Sequence, residues 1–159
     1  MRIYGNMRNT IRRTIEDFVW SIDDFIDVDF NTSEFCVDIE NECVFIPLNP
    51  REEESKMFMD FIGEEYGEYD MDADVLGILH EIGHIFTYDE SLAKAREIKV
   101  LRLRLDFDAA VSNLKEYNFA YFRIPAEIYA TDWAVDYYNM NREKCDALAA
   151  VLKTEKGIA

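Results

Sequence analysis

Apolar side chains recur every three or four positions between residues 9 and 26: Ile11, Ile15, Phe18, Ile22 and Phe25, with Val19 and Ile26 widening the stripe. That spacing predicts an amphipathic helix packed on its own domain. The period then changes. Phe35, Val37 and Ile39 alternate with Cys36, Asp38 and Glu40, and after Asn41 the alternation resumes at Val44, Ile46 and Leu48. Period two on both sides of a polar pair predicts a β-hairpin. A two-residue Glu40-Asn41 loop pairs Ile39 with Glu42, Val37 with Val44 and Phe35 with Ile46. This register puts the apolar residues on one face, and Asn41 tolerates the left-handed conformation such a turn needs. Cys36 then stands opposite Phe45 and only diagonal to Cys43, a poor geometry for a disulfide.

Pro50 opens a predicted helix that runs to Ile62, with Glu52, Glu53 and Glu54 at its positive end, and Gly63 and Gly67 bound a loop after it. Asp70-Met71-Asp72-Ala73-Asp74 has closely spaced acids but lacks the Gly and the distal Glu of an EF-hand loop. It stands directly before an apolar run and reads as a helix cap. Val75 to Tyr88 predicts an apolar helix. Residues 91–117 read as a longer helix, although Val100 to Leu105 also alternates and fits a strand. Pro125 opens a helix to about Asn139, and a last helix runs from about Arg142 to Lys153. Five or six helices with at least two strands predict an α+β chain.

Composition narrows the classes. Apolar residues make up 49% of the 159 positions and aromatics 14%, enough for a core in a single domain spanning 1–159. Seventeen basic residues against 33 acidic ones give a net charge of −16. Such a chain repels phosphate backbones and anionic membrane surfaces, so neither nucleic acid nor a membrane is an expected partner. The longest apolar runs, such as Ala147 to Leu152, are far short of the roughly 20 residues of a membrane-spanning helix. No apolar stretch follows the basic residues Arg2 and Arg8, so no signal peptide is read. Three cysteines without CxxC spacing (Cys36, Cys43, Cys145) predict reduced thiols in a cytoplasmic protein.

The only two histidines stand four apart, in His80-Glu81-Ile82-Gly83-His84. On a helix, positions i and i+4 share a face, so two imidazoles converge on one metal while Glu81, one step round, is placed as a general base. Random placement of two His and 17 Glu in this chain yields HExxH spacing about once in 750 arrangements. The motif predicts a zinc ion. A catalytic zinc takes three protein ligands and keeps one position open. No third His exists, and Cys145 sits in an Ala-rich apolar stripe, so the third ligand is expected to be a carboxylate. Glu97, Asp106, Asp108, Glu116, Glu127, Asp132 and Asp136 all follow the motif. Local physics favours Glu127. It lies in the first turn after Pro125, on a face continued by the small residues Ala130, Thr131 and Ala134, which let a second helix come close.

Glu127-Ile128-Tyr129-Ala130-Thr131-Asp132-Trp133-Ala134 resembles the E-x-x-A-D-x-F-A helix of gluzincins, zinc metallopeptidases with two HExxH histidines and a downstream Glu. Among small members, the chain is most similar to ImmA/IrrE-like metallopeptidases and related phage or prophage zinc peptidases. The resemblance covers His80–His84 and Glu127–Ala134; the stretch between them is long beside thermolysin-like enzymes. It implies a zincin-like architecture, with a small, mostly antiparallel sheet behind the HExxH helix and a missing strand supplied by Met1–Tyr4 or Val100–Phe107. It implies a peptide or protein substrate, zinc ligated by His80, His84 and Glu127, and Glu81 as the base. The family's Asp that orients a ligand His corresponds to Thr131 here, with Asp132 and Asp136 as neighbouring carboxylates. Tyr88, Tyr121, Arg123, Tyr129 and Tyr137 are open as donors to a tetrahedral oxyanion. A zinc-binding regulatory module without peptidase activity is the other reading of the same motif.

Overall fold

The structure is a computed structural model and describes residues 2–97, 122 and 124–155. Its elements are α1 (Arg2–Ile22), β1 (Asp27–Asp29), β2 (Cys36–Asp38), β3 (Cys43–Phe45), α2 (Glu52–Tyr66), α3 (Ala73–Glu97), α4 (Pro125–Met140) and α5 (Arg142–Glu155). The α+β character expected from the alternating periods is present. Residues 2–4 are helical, which removes Met1–Tyr4 as the source of the missing strand. Val100–Phe107, and the expected helix beyond residue 97, lie outside the described residues.

The third strand is β1. The sheet order is β1-β3-β2, with β3 central, parallel to β1 and antiparallel to β2. The sheet is therefore mixed rather than mostly antiparallel, because β3 inserts between two strands that precede it in the chain. Val44 is fully buried at its centre, between Val28 and Val37. The β2–β3 register is the expected one: Val37 faces Val44 and Cys36 faces Phe45. The connection differs in detail. The last ladder pair is Asp38 with Cys43, and the left-handed residue is Glu42 (φ 50°), not Asn41. Asn41 donates both its backbone N–H (3.1 Å) and its Nδ2 (2.7 Å) to the Asp38 carboxylate, so the reversal of the chain falls one residue later. All three cysteines are free thiols.

The first helix starts before residue 9 and ends at Ile22 rather than 26, and α2 and α3 are longer than their patterns predict. The α2 helix passes through Gly63 and stops at Gly67, whose φ of 68° is the left-handed cap that glycine adopts without strain. In α3, Asp89-Glu90-Ser91 offers neither Gly nor Pro to end the helix, and Ser91 Oγ donates back to Tyr88 O at 2.9 Å, so the stretches from Val75 and from 91 are continuous. At the start of α3, Asp72 Oδ1 accepts the backbone N–H groups of Asp74 and Val75, each at 3.0 Å. The acidic run is a cap, as read.

Residues 75–83 of α3 are buried on every side. The helix packs against β2 and β3 on one flank and against α2, α4 and α5 on the others, while α1 lies along α5. A helix apolar all round belongs at the centre of a fold. The HExxH segment is held in that central, fixed helix. No helix among the described residues is long and apolar enough to cross a membrane.

Candidate metal centre

His80 and His84 stand one turn apart on α3. Their rings are nearly perpendicular (86°) and their Nε2 atoms lie 3.1 Å apart. Glu127 reaches them from the first turn of α4, where Pro125 follows the extended Ile124 and sets the start of the helix. Its Oε2 is 2.7 Å from His80 Nε2 and 3.3 Å from His84 Nε2. The reach depends on how closely the two helices approach. A Cβ built on Gly83 would lie 2.6 Å from Ala130 O and 3.1 Å from Ala130 Cα, so only glycine fits between His80 and His84 on this face. Opposite it, Ala130, Thr131 and Ala134 are all fully buried. The small-residue face and the glycine inside the motif together bring a carboxylate to the imidazoles.

His80, His84 and Glu127 form a group that could hold a metal ion, with ligand atoms all within 4.8 Å of one another. Zinc ligands at about 2.0–2.1 Å in a tetrahedron stand about 3.3 Å apart. The observed separations of 2.7, 3.1 and 3.3 Å are one face of such a tetrahedron, slightly contracted. The three ligand atoms converge, and hydrogen bonds to Glu127 alone leave the two imidazole nitrogens facing each other at 3.1 Å. A shared cation satisfies all three, so the donor set fits zinc.

Thr131 stands one turn after Glu127 on α4. Its buried Oγ1 lies 3.0 Å from His80 Nδ1, the nitrogen facing away from the metal site. Asp132 does not supply that partner: it accepts a hydrogen bond from Tyr66 Oη of α2. Position 131 was marked in the sequence by its spacing of four from Glu127; that a hydroxyl rather than a carboxylate meets the ring is the structural finding. Phe58 of α2 closes the other side of the His80 ring edge-on, at 5.5 Å.

Burial raises the Glu81 carboxyl above its ordinary range, against the partly offsetting charges of His80 and His84. Burial also acts to raise Glu127, but hydrogen bonds from both imidazoles outweigh it and hold this carboxyl well below the usual range. For His84, burial acts downward and is overcome by the Glu127 carboxylate, so its pKa is raised. A proton therefore resides more readily on Glu81 than on Glu127, the division expected of a base beside a ligand.

His80, Glu81 and Glu127 line one wall of a cleft of about 290 Å³. Of the oxyanion candidates, Tyr88 and Tyr129 do not line it, and Tyr137 stacks on Trp133 and accepts a hydrogen bond from Lys144 Nζ at 2.9 Å. Tyr121 and Arg123 lie outside the described residues, as do Asp106, Asp108, Glu116 and the side chain of Glu97. Arg51, which no motif flags, stands at the mouth of the cleft, 3.6 Å from Glu54. No protein-family model, no curated protein and no solved structure matches the chain.

Proposed function

We propose that the protein is a small zinc-dependent peptidase of gluzincin type, hydrolysing a peptide bond held in the cleft beside His80, Glu81 and Glu127. The observation that carries this reading is the convergence of His80, His84 and Glu127 within 4.8 Å, with Glu81 buried next to them and facing the same cleft. A purely structural zinc site has four protein ligands and no use for a base. Here the described residues offer three ligands, and the carboxylate beside them has a raised proton affinity.

His80, His84 and Glu127 would hold the zinc, with Thr131 fixing the His80 ring through Nδ1. Zinc, when bound, supplies a Lewis acid that polarises the scissile carbonyl and makes water a nucleophile at neutral pH. The Glu81 carboxylate accepts the proton of the attacking water and delivers it to the departing amine. Glu81 is buried beside the ligands and lines the same cleft, which places its carboxylate for both halves of that exchange.

The test is hydrolysis of mixed peptides by the zinc-loaded protein and by its Glu81→Gln variant, with zinc content measured on both. The reading predicts cleavage by the parent, none by the variant and equal zinc in each. Zinc without cleavage in the parent would point to a metal-binding module that is not a peptidase. Loss of zinc in the variant would make Glu81 a ligand and overturn the mechanism.

A further inference from the structure

Among the polar and charged residues of the cleft beside the metal centre runs one apolar wall. Phe35 stands just before β2, Met57 and Phe58 come from α2, and Phe122 completes that wall. Phe58 packs against Phe122 at 5.5 Å and edge-on against the His80 ring at the same distance, so the aromatic wall runs directly into the ligand set. The Phe35 ring lies flat on the backbone of α3 at Gly77. A Cβ there would meet Phe35 Cζ at 2.9 Å, with two more ring atoms at 3.0 and 3.1 Å. Gly77 stands one turn before Glu81. The ring thus occupies the place of a side chain on α3 and forms the floor of the cleft one turn from the expected base.

We propose that Phe35, seated on Gly77, is a specificity-determining residue: with Met57 and Phe58 it forms an apolar subsite that takes one large apolar side chain of a peptide next to the scissile bond. This inference rests on the zinc-hydrolase reading of the same site. The size of the cleft favours a single side chain. At about 290 Å³ it is at the small end of ligand sites, which span roughly 300–1,000 Å³. The mouth does not compete for the same group, since Arg51 there faces Glu54. Burying a Leu- or Phe-sized group in such a wall favours it over a methyl group by on the order of ten- to a hundredfold.

Hydroxamates separate the subsite from the metal centre, because the hydroxamate group chelates zinc whatever arm it carries. The probes are acetohydroxamate and hydroxamates with an isobutyl or benzyl arm, titrated calorimetrically into the zinc-loaded parent and into Phe35→Ala, Phe35→Leu and Gly77→Ala. The parent should bind the isobutyl or benzyl compound at least about tenfold more tightly than acetohydroxamate. Phe35→Ala should lose most of that gain with acetohydroxamate binding unchanged, and Phe35→Leu should restore much of it. Gly77→Ala, which pushes the ring off the helix, should lower the gain for the benzyl arm in particular. A parent that binds acetohydroxamate but gains nothing from either arm overturns the subsite, whether or not any variant folds. So does a gain that survives Phe35→Ala in full. A zinc-loaded parent that fails to bind acetohydroxamate at all contradicts instead the open zinc site on which the inference rests.

Discussion

Thr131 Oγ1 lies 3.0 Å from His80 Nδ1 in a fully buried position, so a neutral hydroxyl holds the ring whose other nitrogen meets Glu127 at 2.7 Å. With Nε2 presenting its lone pair to a metal, Nδ1 carries the hydrogen and donates it to the threonine oxygen. Removing the hydroxyl while keeping the shape isolates this contact. Thr131→Val should weaken zinc binding by about 10–100-fold, and Thr131→Ser should restore most of it. Competition titration with a zinc chelator measures both. Equal affinity in the valine variant would mean that packing alone orients His80.

Gly83 sets how near α4 can come. Because an added Cβ would stand 2.6 Å from the Ala130 carbonyl oxygen, the backbone itself has to move, and no side chain can swing aside instead. Gly83→Ala should cost about 1–3 kcal/mol, as overpacked sites do. In a chain of this length that lowers Tm by roughly 2–4 °C per kcal/mol. Zinc affinity should fall as well, since the shift carries Glu127 away from the imidazoles. Calorimetric melting with and without zinc tests the two effects together. An alanine variant with unchanged Tm and affinity would show that the close helix contact is not needed to build the site.

Glu127 stands in α4 within 2.7 and 3.3 Å of the two α3 imidazoles, so a zinc ion held by all three would join the two helices. Glu127→Ala leaves two imidazoles, so zinc affinity should drop well beyond the 10–100-fold typical of an outer hydrogen-bonding partner. The parent should gain about 2.7 kcal/mol of stability at free zinc a hundred times its Kd, and the variant should gain almost none at that concentration. Thermal melts across a zinc series read this directly. A variant stabilised by zinc as strongly as the parent would remove Glu127 from the ligand set.

Much of this arrangement was legible in the residues. The hairpin register followed from strict alternation on both sides of Glu40-Asn41, because a one-residue slip would turn Val37 and Val44 out of the core. The starts of α3 and α4 were marked by Asp72 and Pro125, whose local chemistry fixes a helix end. The grouping of His80, His84 and Glu127, which could hold a metal ion, was legible because HExxH spacing depends on one helix alone, and because Glu127 continues into a face of small residues. What was missed depended on neighbours distant in the chain. Ile26, Val28 and Phe30 alternate around Asp27 and Asp29, but the strand is only three residues long and the helical stripe read over 9–26 took in Ile26, whereas α1 ends at Ile22. Gly63 reads as a breaker, yet α2 continues through it in a buried position. Phe35 reads as one more alternating apolar position until Gly77 gives its ring a seat.

A zinc ion held jointly by α3 and α4 would be seen in anomalous scattering from crystals of the zinc-loaded protein, recorded on both sides of the zinc absorption edge. One strong peak is expected within about 2.0–2.2 Å of His80 Nε2, His84 Nε2 and a Glu127 carboxylate oxygen. A peak coordinated by Glu97 or Glu116 in place of Glu127, or a peak away from the two histidines, would contradict it.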